Sequence, residues 1–174
     1  MGRYVAAPAE YLRGYHPEAQ VYAEMSPDDY LRALGPGGTP GEGFYVSKDA
    51  LEKVRRRMEA GEELDPLFID WDPYQKKVTN HEGRHRALAA RELGIKKIPV
   101  IIFFYDVRGW HDVLNQWGEP YDQTHYVRRD ELSRGEILEA LGRLGATEVL
   151  VPQRRPRGPY HRRTVSVRSY RRRR

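Results

Sequence analysis

The chain contains no cysteine. Disulfides, thiolate zinc sites, iron–sulfur clusters and cysteine nucleophiles are therefore excluded together. It holds no run of 18 apolar residues, so the sequence offers no membrane-spanning helix. Met1 to Gln20 includes Arg3, Glu10, Arg13 and Glu18 and no apolar stretch. That argues against a secretory signal and for a cytoplasmic protein. Lysine is scarce, 6 against 24 arginines. Acids are missing from one region altogether: residues 152–174 carry ten arginines and no Asp or Glu. The formal net charge of +5 therefore divides into a body of −5 and a tail of +10. Such a split reads as an ordinary domain joined to a polyanion-binding tail.

A body of roughly 150 residues is large enough to bury a core without a metal or disulfide staple. Residues 1–24 are rich in Tyr and Ala and interrupted by Pro8 and Pro17. They read as an arm packed on a core of residues 25–105. Ser26-Pro27-Asp28-Asp29 is a helix start, with a hydroxyl cap, Pro at the first helical position and acids in the first turn. Tyr30, Leu31 and Leu34 give that helix an apolar face. Gly35 to Gly41 reads as a loop and Phe44-Tyr45-Val46 as a short strand. Ser47 then caps a helix whose Leu51, Val54 and Met58 share one face. Arg55, Arg56 and Arg57 fall mostly on its solvated side.

Pro66 to Asp70 predicts a strand, Asp72 to Gln75 a turn, and Lys76 to Asn80 a shorter strand. Arg86 to Leu93 is helical in composition, with Gly94 as its terminator. Ile98 to Phe104 is almost wholly apolar and predicts a central buried strand. Trp110 to Trp117 is helix-like, its tryptophans reading as packing residues. Ser133 and Glu136 have capping-box spacing ahead of an apolar stripe, Ile137, Leu138, Leu141 and Leu144. Thr147 to Val151 predicts a last strand. Residues 106–151 form a C-terminal extension on the core, and 152–174 the tail. The order of elements implies a mixed α/β or α+β domain.

The chemistry concentrates in Val78-Thr79-Asn80-His81-Glu82-Gly83-Arg84-His85-Arg86-Ala87-Leu88-Ala89-Ala90. A strand ends, a glycine turns the chain and a helix begins. Backbone amides at a helix start bind anions. His85 and Arg86 add donors there, and a guanidinium can hold a phosphate bidentately. The alternative is that both side chains only cap strands and pair with nearby acids.

The stretch from Gly61 to Phe103 resembles the ParB/sulfiredoxin-like fold family. The resemblance rests on the Ser47–Ala60 helix, the strand in GEELDPLFID and the run KVTNHEGRHRALAARELGIKKIPVII. Gly83, His85, Arg86, Ala89, Ala90, Gly94, Ile98, Pro99 and Val100 match without a gap. About 60 of the 174 residues are covered. The segments Ser26 to Leu31 and His81 to Ala90 also look like ParB-related domains of phage and mobile-element proteins. The resemblance implies nucleotide or nucleic-acid phosphate binding at Gly83, Arg84, His85 and Arg86. A nucleoside triphosphate with Mg²⁺ is the implied ligand. Sulfiredoxins carry a cysteine where this chain has Arg84, which excludes sulfinic-acid reduction. Some members of the fold are small-molecule kinases with an acid just before the glycine. Glu82 holds that place, which implies a catalytic pair of Glu82 and His85 in an ATP-dependent phosphotransferase or a nuclease. A structural or virion assembly protein with a vestigial site is the further alternative.

His81-Glu82-Gly83-Arg84-His85 also satisfies the zinc-peptidase pattern H-E-x-x-H. That mechanism needs both histidines on one face of a continuous helix. The β-like Lys77 to Asn80 and the mid-motif Gly83 argue against it. Glu92, His111 and His125 are unsignposted third ligands, and no zinc is expected.

The tail interleaves Arg154, Arg155, Arg157, Arg162, Arg163, Arg168, Arg171, Arg172, Arg173 and Arg174 with Tyr160, His161 and Tyr170. Arginine neutralises phosphate and tyrosine stacks on bases, so nucleic acid is the expected partner. A solvated terminus, or an arm held by a protein partner or a second copy, are the alternatives.

Overall fold

The computed structural model describes residues 2–7, 17–35, 46–106 and 126–149. Five strands form one sheet in the order β3-β2-β4-β1-β5. They are β1 (Gln20–Met25), β2 (Leu67–Asp72), β3 (Lys77–Glu82), β4 (Ile98–Phe104) and β5 (Thr147–Glu148). Among the described residues four α-helices accompany them: α1 (Pro27–Ala33), α2 (Lys48–Glu59), α3 (Arg84–Glu92) and α4 (Arg134–Leu144). Strand β2 runs parallel to β4, and every other pairing is antiparallel. The protein is thus a mixed α/β fold. No helix among the described residues is long and apolar enough to cross a membrane.

Local chemistry sets the helix starts. The Ser26 hydroxyl accepts from the Asp29 amide at 3.0 Å, with Pro27 next in line. Ser47 accepts from the Ala50 amide at 3.3 Å. Ser133 and Glu136 close a full capping box, with bonds of 2.7 and 3.1 Å. Each satisfies amides that the helix itself leaves without an acceptor.

Register builds the core. Val21 lies opposite Ile102, which lies beside Ile69; Ala23, Val100 and Leu67 form the next row. Those six side chains are buried on one face of the sheet, together with Tyr30, Leu31, Leu88, Ile137 and Leu141 from the helices. Three alanines of α3, Ala87, Ala89 and Ala90, are fully buried there. Their small side chains let α3 lie close to the strands.

Several expectations change. Residues 20–24 are not part of a peripheral arm: they form most of β1, in the sheet interior between β4 and β5. Among the described residues, the segment 2–7 lies against the body, with Ala6 bridged to Leu64. The described part of the expected extension joins the sheet and the core: β5 pairs with β1, and Ile137 belongs to the common core. Strand β3 runs to Glu82 and is as long as β2. Helix α3 begins at Arg84 because Gly83 turns the chain just before it. Phe44 and Tyr45 of the expected strand, the Trp110–Trp117 helix, Leu150 and Val151 lie outside the described residues.

Candidate phosphate-binding site

Strand β3 and helix α3 meet at Gly83, whose φ of 126° is closed to most side chains. A Cβ at this position would also lie 2.5 Å from Leu67 Cγ. The glycine is required both by the turn and by the packing of α3 against β2. The first intrahelical bond of α3 runs from the Ala87 amide to the Gly83 carbonyl, 2.9 Å. The amides of His85 and Arg86 precede it and have no acceptor inside the helix.

A cleft of about 320 Å³ opens at this helix start. Glu82, Gly83, Arg84, His85 and Arg86 all line it, so the structure brings together the whole box singled out in the sequence. Arg57 and Asp65 line it as well. Arg57 was expected on a solvated helix face. It lies at the cleft because α2 packs against α3; its Nε donates to Glu62 at 2.8 Å. No local pattern in the sequence marks it, since the contact depends on how two helices pack.

Arg86 departs most from the expectation of a phosphate clamp. Its Nη1 donates to the Asp65 carbonyl and, at 3.2 Å, to the Pro66 carbonyl. Its Nη2 donates to Glu82 Oε1 at 3.4 Å. The side chain is only 13% exposed. The Tyr4 hydroxyl donates to the same Asp65 carbonyl. Burial pushes the Tyr4 phenol up to about 12, with the nearby Arg86 charge pulling the other way. Arg86 and Tyr4 therefore clasp the loop before β2 to the start of α3. Tyr30 completes the clasp from α1, donating to the Glu82 carbonyl at 2.8 Å and the Phe68 carbonyl at 3.2 Å. The sequence marks Tyr30 only as part of an apolar helix face and Tyr4 not at all. Long-range geometry alone reveals their part in the site.

Two residues of the box remain, Glu82 and His85. The Glu82 side chain is 69% exposed at the cleft rim. His85 Nε2 is buried and has no hydrogen-bond partner. His81 points to the core side instead, in register with Ile69. Burial holds its imidazole below the usual pKa, and Arg84, with Nη2 3.5 Å from His81 Nε2, pushes the same way.

The zinc-peptidase pattern does not survive this geometry. His81 belongs to β3 and His85 to α3, so the two never share a helical face. Glu92 closes the far end of α3, about 10 Å along the helix from His85. His111 and His125 lie outside the described residues, as do all ten tail arginines. Comparison with family models, curated proteins and solved structures finds no match for this chain.

Proposed function

We propose that the chain is a ParB/sulfiredoxin-like protein that binds phosphate at the cleft where α3 begins. The phosphate belongs to a nucleotide or a nucleic acid, and the arginine-rich tail contacts nucleic acid. One observation carries the reading. His85 Nε2 is a buried polar atom without a partner, beside a helix start, in a cleft that Arg57 and Arg84 also line. Buried polar atoms are seldom left unsatisfied, and a ligand oxygen supplies what His85 lacks. The amides of His85 and Arg86 and the helix dipole favour an anion at the same point. Two acidic residues, Glu82 and Asp65, also line the cleft, which suits a nucleotide carried with Mg²⁺.

Titration of the full chain with ATP, CTP, GTP and ADP in the presence of Mg²⁺ tests the cleft. Saturable binding that weakens tenfold or more in His85→Ala is the expected result. Absence of binding, or binding that His85→Ala leaves intact, overturns it and favours an assembly role. The tail is tested with a single-stranded oligonucleotide over a range of salt. With about six arginines engaged, log affinity falls against log salt with a slope of about −4 to −5. Replacing Arg171 to Arg174 by Gln removes about 3 from that slope; an unchanged slope sinks the tail's role.

A second reading is supported by the exposed Glu82 carboxylate. In a phosphotransferase or nuclease it holds Mg²⁺ or takes a proton. Glu82→Gln then abolishes turnover while nucleotide binding persists.

A further inference from the structure

Three arginines line the cleft at the start of α3, and two of them are engaged by the protein itself. Arg86 is drawn inward to the Asp65 and Pro66 carbonyls, and Arg84 Nη2 lies 3.5 Å from His81 Nε2. Arg57 differs. It sits in the last turn of α2, which packs against α3, and its side chain is 42% exposed.

Local backbone places it there. Just past α2 the positive φ of Gly61, 69°, reverses the chain, and the Glu62 amide donates back to the Arg57 carbonyl at 3.0 Å. Glu62 and Glu63 are thereby brought beside the guanidinium. Arg57 Nε donates to Glu62 Oε2 at 2.8 Å and Nη2 to the Glu63 carbonyl at 3.4 Å. Nη1 has no acceptor among the described residues. Glu62 is 52% exposed. An exposed pair of this kind shifts an equilibrium by a factor of about five at most. A phosphate that accepts two parallel N–H bonds from the guanidinium competes well with it.

The charges of the cleft are mixed: Arg57, Arg84 and Arg86 are matched by Glu63, Asp65 and Glu82. A bare polyanion meets those acids as well as the arginines. A polyphosphate carried with Mg²⁺ suits the lining better, because the metal takes carboxylate and phosphate oxygens together. The volume, about 320 Å³, is at the small end of the range for single small molecules. Two different elements offer donors to it: the start of α3, with His85, and the end of α2, with Arg57.

We propose that Arg57 is the residue by which this cleft tells a nucleoside di- or triphosphate from a monophosphate. Its guanidinium leaves Glu62 and takes the phosphate next to the one held at the start of α3. Glu62 is the competitor that keeps Arg57 in place until the ligand arrives. The inference rests on the reading of the cleft as a phosphate site.

The mono- and diphosphates of adenosine, cytidine and guanosine are titrated with Mg²⁺ into the full chain, and the ratio of the two dissociation constants is read for each base. At least one diphosphate binds tenfold or more tighter than its monophosphate. Arg57→Gln cuts that ratio at least threefold, and Arg57→Lys, which keeps the charge, retains part of it. Glu62→Gln frees Arg57 and raises the ratio, by up to about fivefold. A merely structural role for Arg57 lowers both affinities together and leaves the ratio where it was, which overturns the proposal. So does a parent ratio below tenfold for every base, or a ratio that falls in Glu62→Gln. If no nucleotide binds the parent, or if His85→Ala leaves binding intact, the phosphate reading itself has failed and this inference falls with it. Binding that His85→Ala weakens, at a ratio that Arg57→Gln does not change, leaves that reading standing and overturns this inference alone.

Discussion

The Tyr30 hydroxyl donates to the carbonyl of Glu82 across 52 residues of sequence, joining α1 to the last residue of β3. Tyr30 is fully buried, and that burial raises its phenol pKa. The bond fixes the carbonyl immediately before the glycine turn. Tyr30→Phe removes the donor and leaves the Glu82 carbonyl short of a partner. The expected cost is about 1–2 kcal/mol in urea unfolding, with weaker nucleotide binding because the start of α3 loosens. Unchanged stability would mean that the Glu82 carbonyl finds another donor.

Gly83 and Gly61 separate packing from backbone strain. Both have positive φ, 126° and 69°. A Cβ at Gly61 meets nothing within 4 Å, whereas at Gly83 it meets Leu67. Gly61→Ala therefore costs about 1 kcal/mol. Gly83→Ala costs about 3 kcal/mol, since overpacking adds to the strain. In a double-mutant cycle, Leu67→Ala recovers part of the second loss and none of the first.

Arg86 is a structural clasp before it is a ligand. Removing its charged donors from the Asp65 and Pro66 carbonyls costs about 2 kcal/mol in Arg86→Ala. Arg86→Lys recovers only part of this, because an ammonium cannot reproduce the planar fork. Thermal melts of the three proteins give the order directly. His85→Ala, by contrast, leaves the melting temperature close to that of the parent while ligand affinity falls.

His81 links stability to pH. Its folded pKa lies below the unfolded value near 6.5. The unfolded chain therefore takes up a proton first as pH falls, and the folded state loses ground. The contribution is absent above about pH 7.5 and grows as pH drops through 6.5 to the folded pKa. His81→Gln flattens that part of the stability profile, measured by urea unfolding between about pH 5 and 7.5. An identical slope in the variant would assign the effect to another group.

Much of this fold is written in local chemistry. Ser26, Ser47 and Ser133 mark three helix starts, and the apolar run Ile98 to Phe104 marks the middle strand. The glycine turn at Gly83 and the cleft-lining box were legible for the same reason. Strand β1 was not. Its inward residues are Val21, Ala23 and Met25, modest in β character, and its outward ones include Glu24. Its place in the sheet comes from pairing with β4, a contact no short window contains. The inward turn of Arg86 was illegible too, because its acceptors are carbonyls some 20 residues earlier.

The position of β1 has a consequence for synthesis. Gln20 faces Phe103, about 80 residues further along. At about 5–20 residues per second, a ribosome takes roughly 4 to 16 s to make the partner strand after β1. Throughout that interval β1 presents Val21, Ala23 and Met25 and two open edges to other nascent chains. Loop closure of that length must then precede the contacts that reward it. The middle of the sheet therefore cannot assemble before residues 98–104 are made, and a chain stalled before Ile98 emerges is a form in which this protein is open to capture by chaperones or by its own copies.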